Sequence, residues 1–116
     1  MHSRAQRLEA LLRKEVAWAL RDVQDPALRH SFVTLTGVSL SKDFKSARIF
    51  YSVIGTKEER LDCGKALKRV EPRIQSRIYG RLRLKVVPQI HFEFDPTPEQ
   101  AGRIETILRN LEHETS

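Results

Sequence analysis

The residues that most constrain this fold are Leu67, Val70, Ile74, Ile78 and Leu82, an apolar series spaced three and four apart within the stretch Lys65 to Lys85. That interval returns to one side of a helix at every turn, so the series needs a core to lie against. The same stretch holds eight basic residues, Lys65, Lys68, Arg69, Arg73, Arg77, Arg81, Arg83 and Lys85, against one acid, Glu71, a local charge of +7. The other 95 residues carry 13 basic and 14 acidic groups, so the formal +6 of the chain belongs to this one segment. Lys65, Arg69, Arg73, Arg77 and Arg81 fall every four residues, where like charges on a helix repel by roughly 0.2–0.5 kcal/mol per pair. Packing on the other side, or a polyanion, must offset that repulsion. The expectation is a helical segment with one buried face and one basic face turned to nucleic acid.

Pro72 interrupts the pattern, because proline offers no N–H to the carbonyl four residues back and its ring crowds the preceding turn. It also restricts Glu71 before it. A helix from Lys57 to Val70, a kink at Val70, Glu71 and Pro72, and a second helix from Arg73 to Leu82 are therefore expected.

The remaining elements follow from period and punctuation. Ser3 is a plausible cap for a helix running to Val23, with Ala5, Leu8, Leu12, Val16, Ala19, Leu20 and Val23 as its apolar arc. Glu15 projects into the edge of that arc. Trp18 lies just beyond its far side, where it reads as a half-buried edge residue or as a base-stacking platform. Asp25 and Pro26 end the helix, and a loop is expected to Ser31. The β-branched run Phe32 to Ser41 favours a strand whose alternation changes parity at Gly37, the mark of a bulge. A turn at Lys42 to Lys45 and a second strand, Ser46 to Ile54, complete a hairpin. Thr56, with Glu58 and Glu59 behind it, is suited to cap the next helix. Gln89 to Phe94 alternates as a third strand, with Ile90, Phe92 and Phe94 facing the core. Thr97, Pro98 and Glu99 then open a final helix, 97–112, with Ile104, Ile107, Leu108 and Leu111 as its stripe and 113–116 as a tail.

A chain of 116 residues with 40% apolar content supports one core, so residues 1–116 are expected to form a single domain, 3–96 being its centre. The order helix, strand, strand, helix, kink, helix, strand, with an additional C-terminal helix, is α+β. It matches the type II KH fold, a three-stranded sheet covered on one face by helices. The one cysteine, Cys63, forms no internal disulfide, and no apolar run is long enough for a membrane span, so a reducing compartment is expected, the cytosol or an organelle matrix.

With the elements placed, several stretches resemble the ribosome-binding factor A family, and the resemblance covers nearly the whole chain. Asp25-Pro26 with Leu28 is similar to the family's Asp-Pro-Arg-Leu segment, with Ala27 in place of its basic residue. Val33-Thr34-Leu35-Thr36-Gly37-Val38-Ser39-Leu40-Ser41-Lys42-Asp43, followed by Ala47 and Tyr51-Ser52-Val53, resembles its hairpin. Arg81-Leu82-Arg83-Leu84-Lys85, with Val87-Pro88 and Phe92 to Asp95, resembles its basic helix end and third strand. The family bends its helices at Ala-x-Gly, where this chain has Val70-Glu71-Pro72. It also lacks the Gly-x-x-Gly clamp of ordinary KH domains, as this chain does. The resemblance implies a non-catalytic assembly factor that binds the small (30S) ribosomal subunit and its 16S rRNA, and supports late maturation and rRNA 5′-end processing, especially in the cold; nothing in the sequence demands a dimer, so a monomer is expected.

Other readings compete. The basic row could be a solvated helix face, and the fold could serve as a general KH-like RNA-binding module with no ribosomal role. Lys42, Lys45 and Arg48 on the hairpin are either additional RNA contacts or surface charge. For an enzyme there is little: Cys63 has no histidine near it in sequence, His2, His30, His91 and His113 lack metal-ligand spacing, and no glycine loop cradles a phosphate. Glu93 and Asp95 read as strand-end charges rather than a catalytic pair. No cofactor, metal, small-molecule substrate or membrane partner is expected.

Overall fold

The computed structural model describes residues 3–23, 25–29 and 32–96. The order is α1 (Arg4–Asp22), α2 (Pro26–Arg29), β1 (Phe32–Leu40), β2 (Ser46–Ile54), α3 (Lys57–Arg81) and β3 (Gln89–Phe94). The strands make one sheet in the order β1-β2-β3, with β1 antiparallel and β3 parallel to the central strand. A parallel neighbour needs a long crossover, and α3 supplies it. This is the mixed three-stranded α+β arrangement of the type II KH fold.

Both long helices start where local chemistry dictates. The Ser3 hydroxyl accepts the Gln6 N–H at 3.1 Å while the Gln6 side chain accepts the Ser3 N–H at 2.9 Å. Thr56 and Glu59 repeat the reciprocal arrangement at 3.1 and 3.2 Å. Each box satisfies two helix-end donors that would otherwise depend on water. After α1, the segment expected as loop contains the short helix α2. Asp25 starts it by accepting the Ala27 N–H at 3.0 Å, with Pro26 in the first helical position.

The parity change in β1 is a bulge at Thr36, because Leu35 pairs with Tyr51 and Gly37 with the adjacent Phe50. It lets Val33, Leu35, Val38 and Leu40 all pack toward the helices. The Leu35 carbonyl accepts Arg13 Nη2 at 2.7 Å and the Thr36 hydroxyl donates to Asp95 at 2.8 Å, so the irregular backbone is held from α1 and from the end of β3. Leu12, Val16, Ile49, Leu67, Ile74, Ile78 and Ile90 are the fully buried centre of the core between sheet and helices.

One expectation is corrected: α3 is a single helix that runs through Pro72, with no break between the segments on either side. Its buried residues, Cys63, Ala66, Leu67, Val70, Ile74 and Ile78, stay in phase across the proline. Losing the donor to the Lys68 carbonyl costs one hydrogen bond, whereas ending the helix would withdraw Ile74 and Ile78 from the core. Burial of two such side chains, worth about 1.5–3 kcal/mol each, outweighs the proline.

Beside the proline, α3 also guards the outer edge of β3. Gln75 accepts the Ile90 N–H at 2.7 Å and donates to the Pro88 carbonyl at 3.0 Å, and Glu71 accepts the Phe92 N–H at 3.2 Å. Two side chains one turn apart thus satisfy backbone donors that would otherwise invite another strand. Glu71 also lies 3.3 Å from His91 Nδ1. The final helix expected at 97–112 lies outside the described residues. Among the described residues no helix is long and apolar enough to cross a membrane.

Candidate nucleic-acid interface

A helix turns about 100° per residue, so a row of every fourth residue advances about 40° at each step around the axis. From Lys65 to Arg81 the row therefore winds through roughly 160°, which carries it from the solvent side toward α1. This corrects the expectation of a single basic face. Lys65 and Lys68 are exposed near the start of α3, and Arg73 is exposed midway along it. Arg69 reaches Asp25 at 3.2 Å, Arg77 is hydrogen-bonded to Asp22, and Arg81 Nε donates to Glu15 at 2.6 Å. Three of the arginines therefore join α3 to α1 and the turn after it.

These pairs differ in weight. Asp22 is exposed, and such a pair contributes about 0.2–1 kcal/mol. Glu15 is different, since its side chain is only 9% exposed. Arg81→Ala strands that carboxylate and is expected to lower stability by about 1–3 kcal/mol in chemical denaturation. Replacing both residues by methionine is expected to recover most of the loss, because an apolar pair of similar volume needs no partner. Arg81 also lies over Trp18, 5.6 Å from the ring centroid, with Lys14 at 5.0 Å. Trp18 is 40% exposed. It stands at the edge of the α1 apolar arc, held among the protein's own cations.

Among the described residues, no carboxylate pairs with Lys65, Lys68, Arg73, Arg83 or Lys85. All five are exposed. They follow α3 from its first half, near the end of β3, to the segment beyond its C-terminus. The hairpin tip lies at that second end, since the Lys45 carbonyl accepts the Gln89 N–H at 2.9 Å. Lys42 and Lys45 are thus on the same end of the sheet as Arg83 and Lys85. The tip is a tied turn: Asp43 accepts the Ser41 hydroxyl at 2.7 Å and the Lys45 N–H at 3.1 Å, and Phe44 takes a left-handed φ of 61°. The Ser41 hydrogen bond, ahead of the Lys45 N–H, holds the Asp43 carboxyl below its ordinary range. Arg48 is engaged elsewhere, 3.5 Å from Glu93 and over the Phe50 ring.

Cys63 is fully buried, and desolvation, with the Asp25 charge second, pushes its thiol up to about 11. Alkylation by iodoacetamide at pH 8 is accordingly expected only after unfolding. Among the described residues no group of three or more histidine, cysteine, aspartate or glutamate side chains is placed to hold a metal ion.

Fold and surface together define a KH-like domain with a run of exposed positive charge along the crossover helix, the class of protein that meets RNA. More narrowly, the chain belongs to the ribosome-binding factor A family, whose profile matches residues 4–108. It is 38% identical over 112 residues to ribosome-binding factor A of Dictyoglomus thermophilum, which spans 96% of this chain and 92% of that one. A putative ribosome binding factor A of Thermotoga maritima, solved by NMR, superposes with a TM-score of 0.68 at 36% identity, covering 80% of this chain and 91% of that one. The Thermus thermophilus factor, as a homology model fitted into a cryo-EM map of its complex with the 30S subunit, gives 0.61 at 27% identity, over 78% and 93% of the two chains.

Proposed function

We propose that this protein is a non-catalytic assembly factor that binds the small ribosomal subunit through its 16S rRNA and supports late maturation, including processing of the rRNA 5′ end. The observation that carries this reading is the set of five exposed cations that pair with no carboxylate among the described residues, Lys65, Lys68, Arg73, Arg83 and Lys85, along the crossover helix of this family's fold and past its end. Placing phosphates there releases counterions and gives affinity, while the shape of the domain selects one arrangement of neighbouring rRNA helices. Lys42 and Lys45, on the hairpin tip at the same end of the sheet as Arg83 and Lys85, stand beside this contact. Arg69, Arg77 and Arg81 serve it by fixing α1 against α3. The reading takes residues 1–116 as one KH-like domain acting as a monomer in the cytoplasm.

The complex with the 30S subunit recorded for the Thermus thermophilus relative supports the choice of partner. The second reading, a general RNA-binding module, rests on the fact that phosphate contacts carry no sequence information. Sedimentation separates the two. The protein is expected to travel with small-subunit precursors in preference to an equal mass of unstructured RNA, and equal partition would favour the general module. In the same assay, Lys65→Ser, Lys68→Ser and Arg73→Ser together are expected to weaken binding about uniformly across RNA sequences.

A further inference from the structure

Between the first half of α3 and the end of β3 lies a cleft of about 540 Å³ that the RNA reading does not use as a whole. It is lined by Tyr51, Lys57, Arg60, Leu61, Gly64, Lys65, Lys68 and Phe94. Its floor is apolar: Phe94 meets Tyr51 edge-on at 5.8 Å between centroids and is 36% exposed, and Leu61 is 57% exposed. Gly64 keeps the floor open, since a Cβ there would stand 3.0 Å from the Tyr51 hydroxyl. Four cations line the cleft, and among the described residues no carboxylate does.

We infer that this cleft is the docking site of the chain's own C-terminal segment, residues 97–116. Three observations select that occupant. The chain leaves β3 at Phe94, itself part of the cleft, and Asp95 N–H is fixed to the Tyr51 carbonyl at 2.8 Å, so the segment starts at the cleft's edge. Ile104, Ile107, Leu108 and Leu111 repeat at helical spacing and supply the apolar side that Leu61, Tyr51 and Phe94 lack. The segment also carries Glu99, Glu105, Glu112 and Glu114 against Arg103 and Arg109, a net −2 facing a positive rim. Reach is sufficient: as a helix opening at Thr97 the segment rises about 12 Å from Pro96 to Ile104 and about 22 Å to Leu111, and the helix from Lys57 to Lys68 is only about 17 Å long. Because the segment is tethered, its local concentration is of order millimolar, so a weak contact suffices.

The docking stands independently of the proposed function, but its consequence rests on that reading. A docked segment covers Lys65 and Lys68, two of the five cations assigned to rRNA, so the segment and RNA exclude one another there and RNA must displace it. The 30S complex would then hold the segment in a different place from the unbound protein.

The test compares amide NMR spectra of the full-length chain and of full-length Ile107→Asp/Leu108→Asp. Shift changes confined to Leu61, Gly64, Lys65, Lys68 and Phe94, with Ile49 and Ile78 unmoved, are expected. Leu61→Asp, at an exposed position, is expected to shift signals of residues 104–111 in turn. Unchanged cleft signals in the first variant, or changes that grow with protein concentration as a contact between two copies would, overturn the docking. RNA binding is measured on the same samples. If the segment is docked about nine-tenths of the time, Ile107→Asp/Leu108→Asp binds RNA about tenfold more tightly. Cleft shifts with unaltered RNA affinity would uphold the docking and overturn RNA contact at Lys65 and Lys68.

Discussion

Pro72→Ala is expected to stabilise the protein by about 1–3 kcal/mol, read from the midpoint of urea unfolding at unchanged slope. The expectation follows from α3 being one helix through this position, with Pro72 exposed. Alanine restores the N–H that bonds the Lys68 carbonyl, removes the ring from the preceding turn and has the best intrinsic helix preference. A proline in a helix interior costs about 3 kcal/mol relative to alanine, and the native backbone has already relaxed part of that. No buried side chain changes, so nothing in the core opposes the gain. A loss of stability would mean that the turn before Pro72 is shaped by the ring and that the rest of the domain is fitted to that shape.

Ile74→Ala is expected to act in the opposite direction and more strongly, lowering stability by about 2–5 kcal/mol. Ile74 is 1% exposed and is the first core residue of α3 beyond the proline, so its burial is what carries the helix through. The cavity would open where α3 crosses the sheet, between elements too firmly tied to close it. Ile54→Ala removes the same atoms from a side chain that is 73% exposed and is expected to change stability by less than about 0.5 kcal/mol. Similar values for the two variants would contradict the assignment of the core.

Much of this fold is legible in the sequence because it rests on short-range rules. The three-and-four spacing of Leu67, Val70, Ile74 and Ile78, the alternation in β2 and, as far as Phe92, in β3, and the boxes at Ser3 and Thr56 are each decided within a few residues, whereas Phe94, expected in the core, is exposed at the end of its strand. The α2 turn is missed, because Asp25 and Pro26 read as a stop and the segment to Ser31 as loop, although Asp25 before Pro26 also suits a helix start. The fate of the arginine row was not legible either. Its partners Glu15, Asp22 and Asp25 lie 66, 55 and 44 residues away, and only tertiary packing brings them to Arg81, Arg77 and Arg69. One hint was available: Glu15 and Asp22 are seven residues apart on α1, hence on one side of it, bordering the apolar arc. Capping of the β3 edge by Glu71 and Gln75 leaves no comparable trace, because edge donors are not a property of any local pattern.

The candidate site changes accordingly in composition more than in place. Eight basic residues in sequence become five exposed cations that pair with no carboxylate among the described residues and three arginines tied to α1 and the turn after it. The five still run along α3 and past its end, a stretch of about 24 Å from Lys65 to Arg81 alone, long enough to meet several phosphates.

The most direct measurement is the salt dependence of binding to a small-subunit precursor. With five cations neutralising phosphates, a plot of log Kobs against log salt is expected to fall with a slope between about −3.5 and −4.5. Lys65→Ser, Lys68→Ser and Arg73→Ser together should bring it near −1.4 to −1.8. A flat plot for the native protein, or a slope that the triple substitution leaves unchanged, would contradict the claim that these side chains hold RNA.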